Sequence, residues 1–269
     1  MSGIVETLRT YTAFTLCFLK AKFIYRASFW ISLSINFLFL LMQVYLWKAL
    51  LGTGSLADTT VNEMITYVVM ASVIRNILLS RAALTIEDRL LSGDIVFDFI
   101  RPLSFRVQLL LNDLGQALSS FLLQSVPLMA AALVFVGINP PESLIHLIAF
   151  IFLAIGGMII SFYTSYIIGL VAFYTMKAEY LEWLIGTINT FLSGRYLPLW
   201  LYPAWLRIIA EIAPFKLMYY TPIAVYMGRI PLSELPAALL TMFVWLFLLI
   251  GIEFLLWKKT TNKLVVQGG

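Results

Sequence analysis

Residues 144–173 read LIHLIAFIFLAIGGMIISFYTSYIIGLVAF, and none of these 30 positions holds Asp, Glu, Lys or Arg. An uncharged apolar run of this length exceeds the roughly 20 residues that an α-helix needs to cross the hydrocarbon core of a bilayer. Inside lipid the backbone polar groups must bond to one another, and a helix satisfies them within the segment. The run therefore predicts a membrane-spanning α-helix and sets the class of the fold.

The rest of the chain has the same character, since 61% of its 269 residues are hydrophobic and only 12% are charged. Such a composition excludes a soluble globular domain. No internal repeat or linker divides the chain, so we predict one all-α, polytopic membrane domain over residues 1–269. Its six predicted transmembrane helices lie at about residues 29–50, 61–80, 108–136, 144–173, 181–197 and 235–257.

The basic residues predict the orientation, because Lys and Arg concentrate in the cytosolic loops of membrane proteins. With both termini cytosolic, the 18 Lys and Arg residues divide into 13 on the cytosolic side and five outside. The outer five are Lys48, Arg195, Arg207, Lys216 and Arg229. Since the basic residues flank the spans, the net charge of +4 is a topology signal and does not indicate a nucleic-acid partner.

Both terminal segments are predicted to lie on the cytosolic side. Residues 1–28 combine apolar side chains with the basic residues Lys20, Lys22 and Arg26, which suits an N-terminal helix in the membrane interface. An ordinary cytosolic extension of the first span is the alternative. Residues 258–269 form a predicted cytosolic tail.

The segment 198–231 is apolar enough to enter lipid, yet it is interrupted repeatedly by proline. Proline removes a backbone donor, and unpaired backbone is costly in hydrocarbon. We therefore predict short re-entrant helices that dip into the outer leaflet; a plain extracellular loop would expose too much apolar surface. The marker residues are Pro198, Trp200, Pro203, Pro214, Phe215, Tyr220 and Pro222.

The residue types that catalysis requires are scarce. The chain contains a single histidine, His146, and a single cysteine, Cys17. This composition disfavours a Ser/His/Asp triad, a Cys/His pair and a zinc site. The phosphate-binding pattern G-x-x-x-x-G-K-[ST] does not occur in the sequence. We therefore predict no catalytic, metal or cofactor site on this chain.

Two ion pairs are predicted from charges close to the spans, where unpaired charges are costly. Arg75 and Asp113 lie near the cytosolic ends of the second and third spans, and Glu253 lies about a turn from Lys258. The span centres otherwise offer neutral polar residues, whereas carriers driven by protons usually have acidic residues at mid-depth. This pattern disfavours ion coupling.

Residues 84–105, between the second and third spans, are rich in charges of both signs. Their pattern predicts a short amphipathic helix, a break at Gly93 and a further turn that ends at Pro102. A linker resting on the membrane is one interpretation, but mixed charges beside protruding aromatic residues favour a docking surface for a soluble partner. The candidate residues are Glu87, Asp88, Arg89, Gly93, Asp94, Asp98, Arg101 and Pro102.

Two stretches also resemble a known family. SGDIVFDFIRPLSFRVQ at 92–108 and FLSGRYLPLWLYPAWLRIIAEIAPFKLMYYTPIAVYMGR at 191–229 are similar to the signature regions of type-2 exporter permeases of the ATP-binding-cassette (ABC) class. The closest fit is to the bacterial, six-span ABC-2 branch, and the resemblance extends over nearly the whole chain.

The resemblance implies a permease subunit of an ATP-driven exporter in the bacterial plasma membrane. ATP and Mg would be bound by two copies of a separate P-loop ATPase, which segment 84–105 would contact as the coupling region, while segment 198–231 would cap the translocation path. A second permease, identical or different, would complete a dimer among membrane lipids. A lipid-like, drug-like, peptide or antibiotic substrate would suit the path. An ion-driven secondary transporter and a non-transporting membrane partner or sensor are the alternatives.

Overall fold

The computed structural model describes residues 26–52, 59–100 and 103–267 of the chain. Within these ranges the secondary structure is helical and contains no β-strand, as the composition predicts. Most of the predicted interfacial helix, residues 1–25, and the predicted coupling residues Arg101 and Pro102 lie outside the described residues.

The helices follow one another with short connections. In chain order they are α1 (Arg26–Leu51), α2 (Val61–Leu78), α3 (Ala82–Ser92), α4 (Ile95–Ile100), α5 (Phe105–Ser120), α6 (Val126–Phe135), α7 (Leu144–Thr175), α8 (Glu179–Leu192), α9 (Ala204–Ile212), α10 (Tyr220–Tyr226) and α11 (Leu235–Gln267). A π-helical turn, Phe121–Ser125, joins α5 to α6, and 3-10 turns lie at Leu199–Leu201 and Pro214–Leu217.

Five helical stretches within the described ranges are long and apolar enough to cross a membrane. They are Trp30–Leu51, Val61–Ser92, Phe105–Phe135, Leu144–Thr175 and Leu235–Thr260. A sixth is added if Ala204–Ile212 and Pro214–Tyr226, which meet at a bend of 75°, form one broken span. The protein is therefore a multi-pass membrane protein whose described residues are all-helical and contain five to six candidate spans.

The predicted span at 181–197 is not among these stretches. The helix found there, α8, has 14 residues, and at 1.5 Å per residue it reaches about 21 Å, short of the roughly 30 Å of a hydrocarbon core. The helix ends before Gly194, whose φ of 78° is left-handed and incompatible with its continuation. At the other end of the chain, α11 extends through the predicted tail as far as Gln267.

Helix α7 lies at the centre of the bundle, where glycines allow close contacts. A Cβ on Gly169 would lie 2.4 Å from Ile86 Cδ1 and 3.0 Å from the Cα of Ala83, so only glycine lets α3 approach α7 this closely. A Cβ on Gly157 would lie 2.9 Å from the backbone oxygen of Leu217. Helices in lipid lack a hydrophobic drive to associate, and such close van der Waals packing replaces it.

Several prolines of segment 198–231 lie at the beginnings of short helices. The sequence had suggested only that they interrupt a longer one. Pro203 is the N-cap of α9, Pro214 opens the following 3-10 turn, and Pro222 lies in the first turn of α10. The first turn of a helix needs no internal N–H donor, so proline fits there without losing a hydrogen bond. The segment is a series of short helices, as predicted; its depth in a membrane stays a prediction.

Candidate functional site

Helices α3 and α4 meet at one end of the bundle, which we call the α4 end. Gly93, at a φ of 78°, ends α3 in the left-handed conformation and lets the chain turn into α4, as the sequence predicts. Beyond the turn, Val96, Phe97 and Ile100 are 59%, 63% and 74% exposed, and Leu91 of α3 is 60% exposed. We call these four residues the α4 face; they form an apolar surface at a charged end of the protein.

Asp98 was expected to contribute to a docking surface, but its carboxylate is buried. Arg89 Nη1 lies 2.6 Å from Asp98 Oδ2, and Gln108 Nε2 donates to the backbone oxygen of Asp98 at 2.9 Å. Asp88 and Asp94 remain exposed. Asp98 therefore holds α4 against α3 and α5 and is not available to a partner on the α4 face.

Removing the cation of this pair is expected to destabilise the α4 end. In an Arg89→Ala variant the buried carboxylate of Asp98 loses one charged donor, which costs about 1.5–3 kcal/mol. Thermal unfolding of the detergent-solubilised protein measures the effect, and Asp94→Asn, at an exposed acid of the same segment, is the matched control. An Arg89→Ala melting temperature equal to that of the control would contradict a structural role for the pair.

Glu87, a second predicted docking residue, also points inward. Its Oε2 accepts the backbone N–H groups of Ala178 and Glu179 at 2.7 and 2.9 Å. These are the first donors of α8, whose own N-cap residue Ala178 has no side-chain acceptor. A carboxylate at this position satisfies two N–H groups and complements the positive end of the helix dipole. Glu87 therefore links α3 directly to α8, a contact that sequence spacing alone does not reveal.

A group of aromatic residues connects the α4 end to α5 and α11. The rings of Phe99 and Phe105 lie 5.4 Å apart, and Phe105 stacks on Trp257 at 5.8 Å. Close by, Arg106 Nη1 lies 2.9 Å from Glu253 Oε2. Glu253 therefore pairs across two helices with Arg106, and sequence proximity to Lys258 did not predict this partner.

A polar cavity of about 480 Å³ lies between α2, α5, α7 and α8. At one end it reaches Arg81, beside the start of α3, and at the other it is bounded by Met218 and Tyr219. Its polar lining consists of Arg75, Asn76, Ser80, Arg81, Gln116, Ser120, Gln124, Ser161, Thr164, Ser165, Glu182, Asn189, Thr190 and Arg195. Polar groups inside membrane-spanning helices are costly and usually face the bundle interior or a water-filled space, so the cavity is a candidate path.

The predicted pair of Arg75 and Asp113 is wrong, because the two side chains have other partners. Arg75 Nη2 donates to Asn36 Oδ1 at 2.5 Å, and Asn36 Nδ2 donates to Gln124 Oε1 at 3.2 Å. Asp113 accepts from the hydroxyl of Ser80 instead. Arg75 therefore belongs to the cavity, and Asp113 to the connection that precedes α3.

The π-helical turn at Phe121–Ser125 presents Gln124 to this cavity. Ser125 Oγ holds the turn in place by donating to the backbone oxygen of Val73 at 3.0 Å and accepting from Asn76 Nδ2 at 3.3 Å. Single π-turns inside α-helices are frequent at functional sites. The sequence offered one signal for the irregularity, Pro127, which cannot donate to the preceding turn.

Residues 194–229 are attached to Thr59, just before α2, and to the first half of α2. Gly194 O accepts from the hydroxyl of Tyr67 at 2.5 Å, Trp200 Nε1 donates to Thr59 Oγ1 at 3.0 Å, and Arg229 Nη2 lies 3.0 Å from Glu63 Oε1. Since α8 begins at the α4 end and Trp200 lies level with the start of α2, the chain from Glu179 to Trp200 covers about the length of α2.

A comparison with models of protein families shows to which family this chain belongs. The model of the family described as ABC-2 family transporter protein matches residues 37–268. This chain belongs to the ABC-2 transporter family. The resemblance drawn from residues 92–108 and 191–229 is thereby confirmed, and no curated protein or solved structure shows significant similarity to the chain. The protein is a multi-pass permease of the ABC-2 family, a class of transport membrane subunits.

The permease contains two structural features that the family assignment alone does not describe. One is the α4 face, whose apolar side chains are exposed while its charged neighbours Glu87 and Asp98 are bonded inward. The other is the polar cavity, whose wall includes α8. The hydrogen bonds of Glu87 to the first turn of α8 link these two features directly.

Proposed function

We propose that this permease is the membrane subunit of an ATP-driven exporter and that two copies of a separate P-loop ATPase bind at the α4 ends of a permease dimer. The observation that carries the proposal is the α4 face, in which Leu91, Val96, Phe97 and Ile100 are all more than half exposed. Apolar and aromatic side chains of this kind form the centres of protein interfaces.

The α4 end would face the cytosol of a bacterial cell and lie against its plasma membrane. Support comes from the basic residues Arg81, Arg89, Arg106 and Lys177 at this end, in accordance with the concentration of Lys and Arg in cytosolic loops. The chain crosses the membrane six times if residues 179–201 form an additional crossing. This crossing would consist of α8 and the residues that follow it. In that arrangement α9 and α10 form a bent, re-entrant pair on the outer side.

Movement would pass from the ATPase through α3 to α8. The ATPases approach one another when they bind ATP and move α4, the Glu87 contact transmits the displacement to α8, and the wall of the cavity shifts. The substrate would enter the cavity from the cytosolic side and leave past Met218 and Tyr219, where segment 198–231 closes the outer end.

A second permease would pack against α1 and α8. In support, no residue of α8 is buried within the described chain, and Tyr180 and Trp183 are 71% and 72% exposed. On α1, Tyr45 and Leu50 are similarly exposed. An identical or a different permease would fit this surface equally well.

The docking proposal predicts that charges on the α4 face abolish ATPase binding. In a Phe97→Asp/Ile100→Asp variant the carboxylates would have to be desolvated at the centre of the interface, at a cost of about 2 kcal/mol or more, roughly a 30-fold loss in affinity. Both side chains are exposed, so the permease itself should fold normally. Co-purification of the P-loop ATPase with tagged permease measures the effect.

Met176→Asp is the matched control for this experiment. Met176 is also exposed, follows α7 outside the α4 face, and has a φ of 60° that Asp tolerates. Equal ATPase recovery with the double variant and the control would refute the docking site. Transport that collapses with an uncoupler and survives ATP depletion would instead support an ion-driven carrier.

A further inference from the structure

Three arginines line the polar cavity, and two of them, Arg75 and Arg195, also line a smaller neighbouring cavity and so lie close together. Within residues 26–52, 59–100 and 103–267, neither of these two guanidinium groups forms an ion pair. Arg75 bonds to the neutral amide of Asn36, and Arg195 lies over the ring of Tyr196 at 4.9 Å.

The two other arginines of the predicted outer set have different surroundings. Arg207 pairs with Glu211 at 2.8 Å, and Arg229 pairs with Glu63 at 3.0 Å. Arg195 was predicted to lie on the outer side with them, yet it lines the interior cavity. Membrane anchoring therefore does not account for its position.

The opposite wall of the cavity does not neutralise these charges. Its one carboxylate, Glu182, accepts from the hydroxyl of Ser165 at 3.2 Å and lies on the α8 turn nearest the α4 end, more than three helical turns before Arg195 in sequence. Between them, Asn189 Oδ1 is buried and has no hydrogen-bond partner within the described chain. The cavity therefore combines two cations that form no ion pair within the described chain with a buried acceptor oxygen that has no donor.

We infer that this cavity binds an anionic group, a phosphate or a carboxylate, through Arg75 and Arg195. Guanidinium groups present paired N–H donors that match the oxygens of these anions. Holding two like cations close together inside a membrane protein is unfavourable, and an anion between them reduces that cost. The free oxygen of Asn189 suits a hydroxyl or N–H group carried by the same ligand.

If the protein is the exporter proposed above, its substrates are anionic amphiphiles or small anions. This assignment of a substrate class rests on the proposed function. Anion binding to the cavity can be tested on the permease alone, with no ATPase present. A failure to bind anions therefore leaves the docking proposal untouched, and a failure of docking leaves the anion site untouched.

The experiment measures ligand-induced thermal stabilisation of the purified permease in a neutral detergent. The probes are short-chain phosphatidylglycerol, short-chain phosphatidylcholine of equal chain length, and inorganic phosphate. Stabilisation by phosphatidylglycerol alone identifies a lipid-borne anion, and stabilisation by phosphate identifies a site open to free anions. Either result supports the site if it depends on the arginines, whereas no stabilisation by either anion overturns it.

Arg195→Gln is the decisive variant, because its guanidinium has only ring contacts to lose within the described chain. Loss of one charge-assisted contact should weaken anion binding about tenfold or more, and Arg195→Lys should recover part of the affinity. Arg75→Gln should act in the same direction, although it also removes the bond to Asn36. Arg207→Gln is the matched control and should bind as the wild type does; equal affinity in all four variants would overturn the inference.

Discussion

A Glu87→Ala variant is expected to keep its ATPase bound and to lose the nucleotide-driven movement of α8. The substitution leaves the α4 face intact but removes the acceptor of the Ala178 and Glu179 N–H groups. Loss of a helix cap costs about 0.5–2 kcal/mol. A contact of 1–2 kcal/mol corresponds to a change of about 5- to 30-fold in the equilibrium that it controls.

The movement can be measured with a label on the exposed face of α8. Trp183 is 72% exposed within one permease and would face the second permease in the proposed dimer. A spin label on Trp183→Cys, in a Cys17→Ser background, therefore reports the movement of α8 from outside the cavity. In the assembled complex a non-hydrolysable ATP analogue should change the spectrum of the wild type and leave that of Glu87→Ala nearly unchanged.

Two controls separate coupling from local damage. Asp88→Ala removes the neighbouring exposed acid of α3 and should respond to nucleotide as the wild type does. Glu87→Gln keeps an acceptor oxygen and loses only the charge, so its response should be intermediate. A Glu87→Ala complex that responds to nucleotide normally would show that displacement reaches α8 by another route.

A Gly186→Trp variant is expected to close the cavity while the permease still folds and binds its ATPase. Gly186 lines the cavity, and a Cβ built there meets no atom within 4 Å, so a large side chain has open space to enter. Replacing glycine inside a helix by tryptophan also improves helix propensity by about 0.5 kcal/mol. The indole would occupy the space between α8 and α7, and transport should be abolished.

Reactivity of a cysteine inside the cavity measures its closure without knowledge of the substrate. Thr164→Cys, on the α7 wall, should react with a water-soluble methanethiosulfonate reagent in the Cys17→Ser background. Adding Gly186→Trp should reduce the reaction to near background. Leu184→Trp places the same side chain at an exposed position of α8 and should leave the reaction unchanged. Undiminished labelling with Gly186→Trp would show that the cavity is not the route by which water reaches Thr164.

The sequence was most informative where one local feature decides the outcome. The uncharged run at 144–173 predicted α7, found at Leu144–Thr175, because length and composition alone determine whether a helix can cross lipid. Gly93 predicted the break between α3 and α4, since a left-handed turn strongly favours glycine. The amphipathic pattern at 84–105 likewise indicated an exposed apolar surface.

The sequence was least informative about the partners of charged residues. Arg75 and Asp113 were matched by their depth in the membrane, yet the rotation of the helices directs one to Asn36 and the other to Ser80. Glu253 was matched to a neighbour one turn away, yet Arg106, 147 positions earlier, is its partner. A hydropathy pattern predicts how deep a side chain lies in the membrane. It does not predict which neighbouring helix the side chain faces.

The sequence by itself thus determined that this is a multi-pass α-helical membrane protein with an amphipathic segment between its second and third spans, because hydropathy and glycine placement act locally. Only the tertiary structure decided that Glu87 caps α8, that Asp98 faces inward, and that Arg75 and Arg195 share one cavity. Each of these contacts joins residues distant in sequence, and close packing around α7 sets which of them can meet.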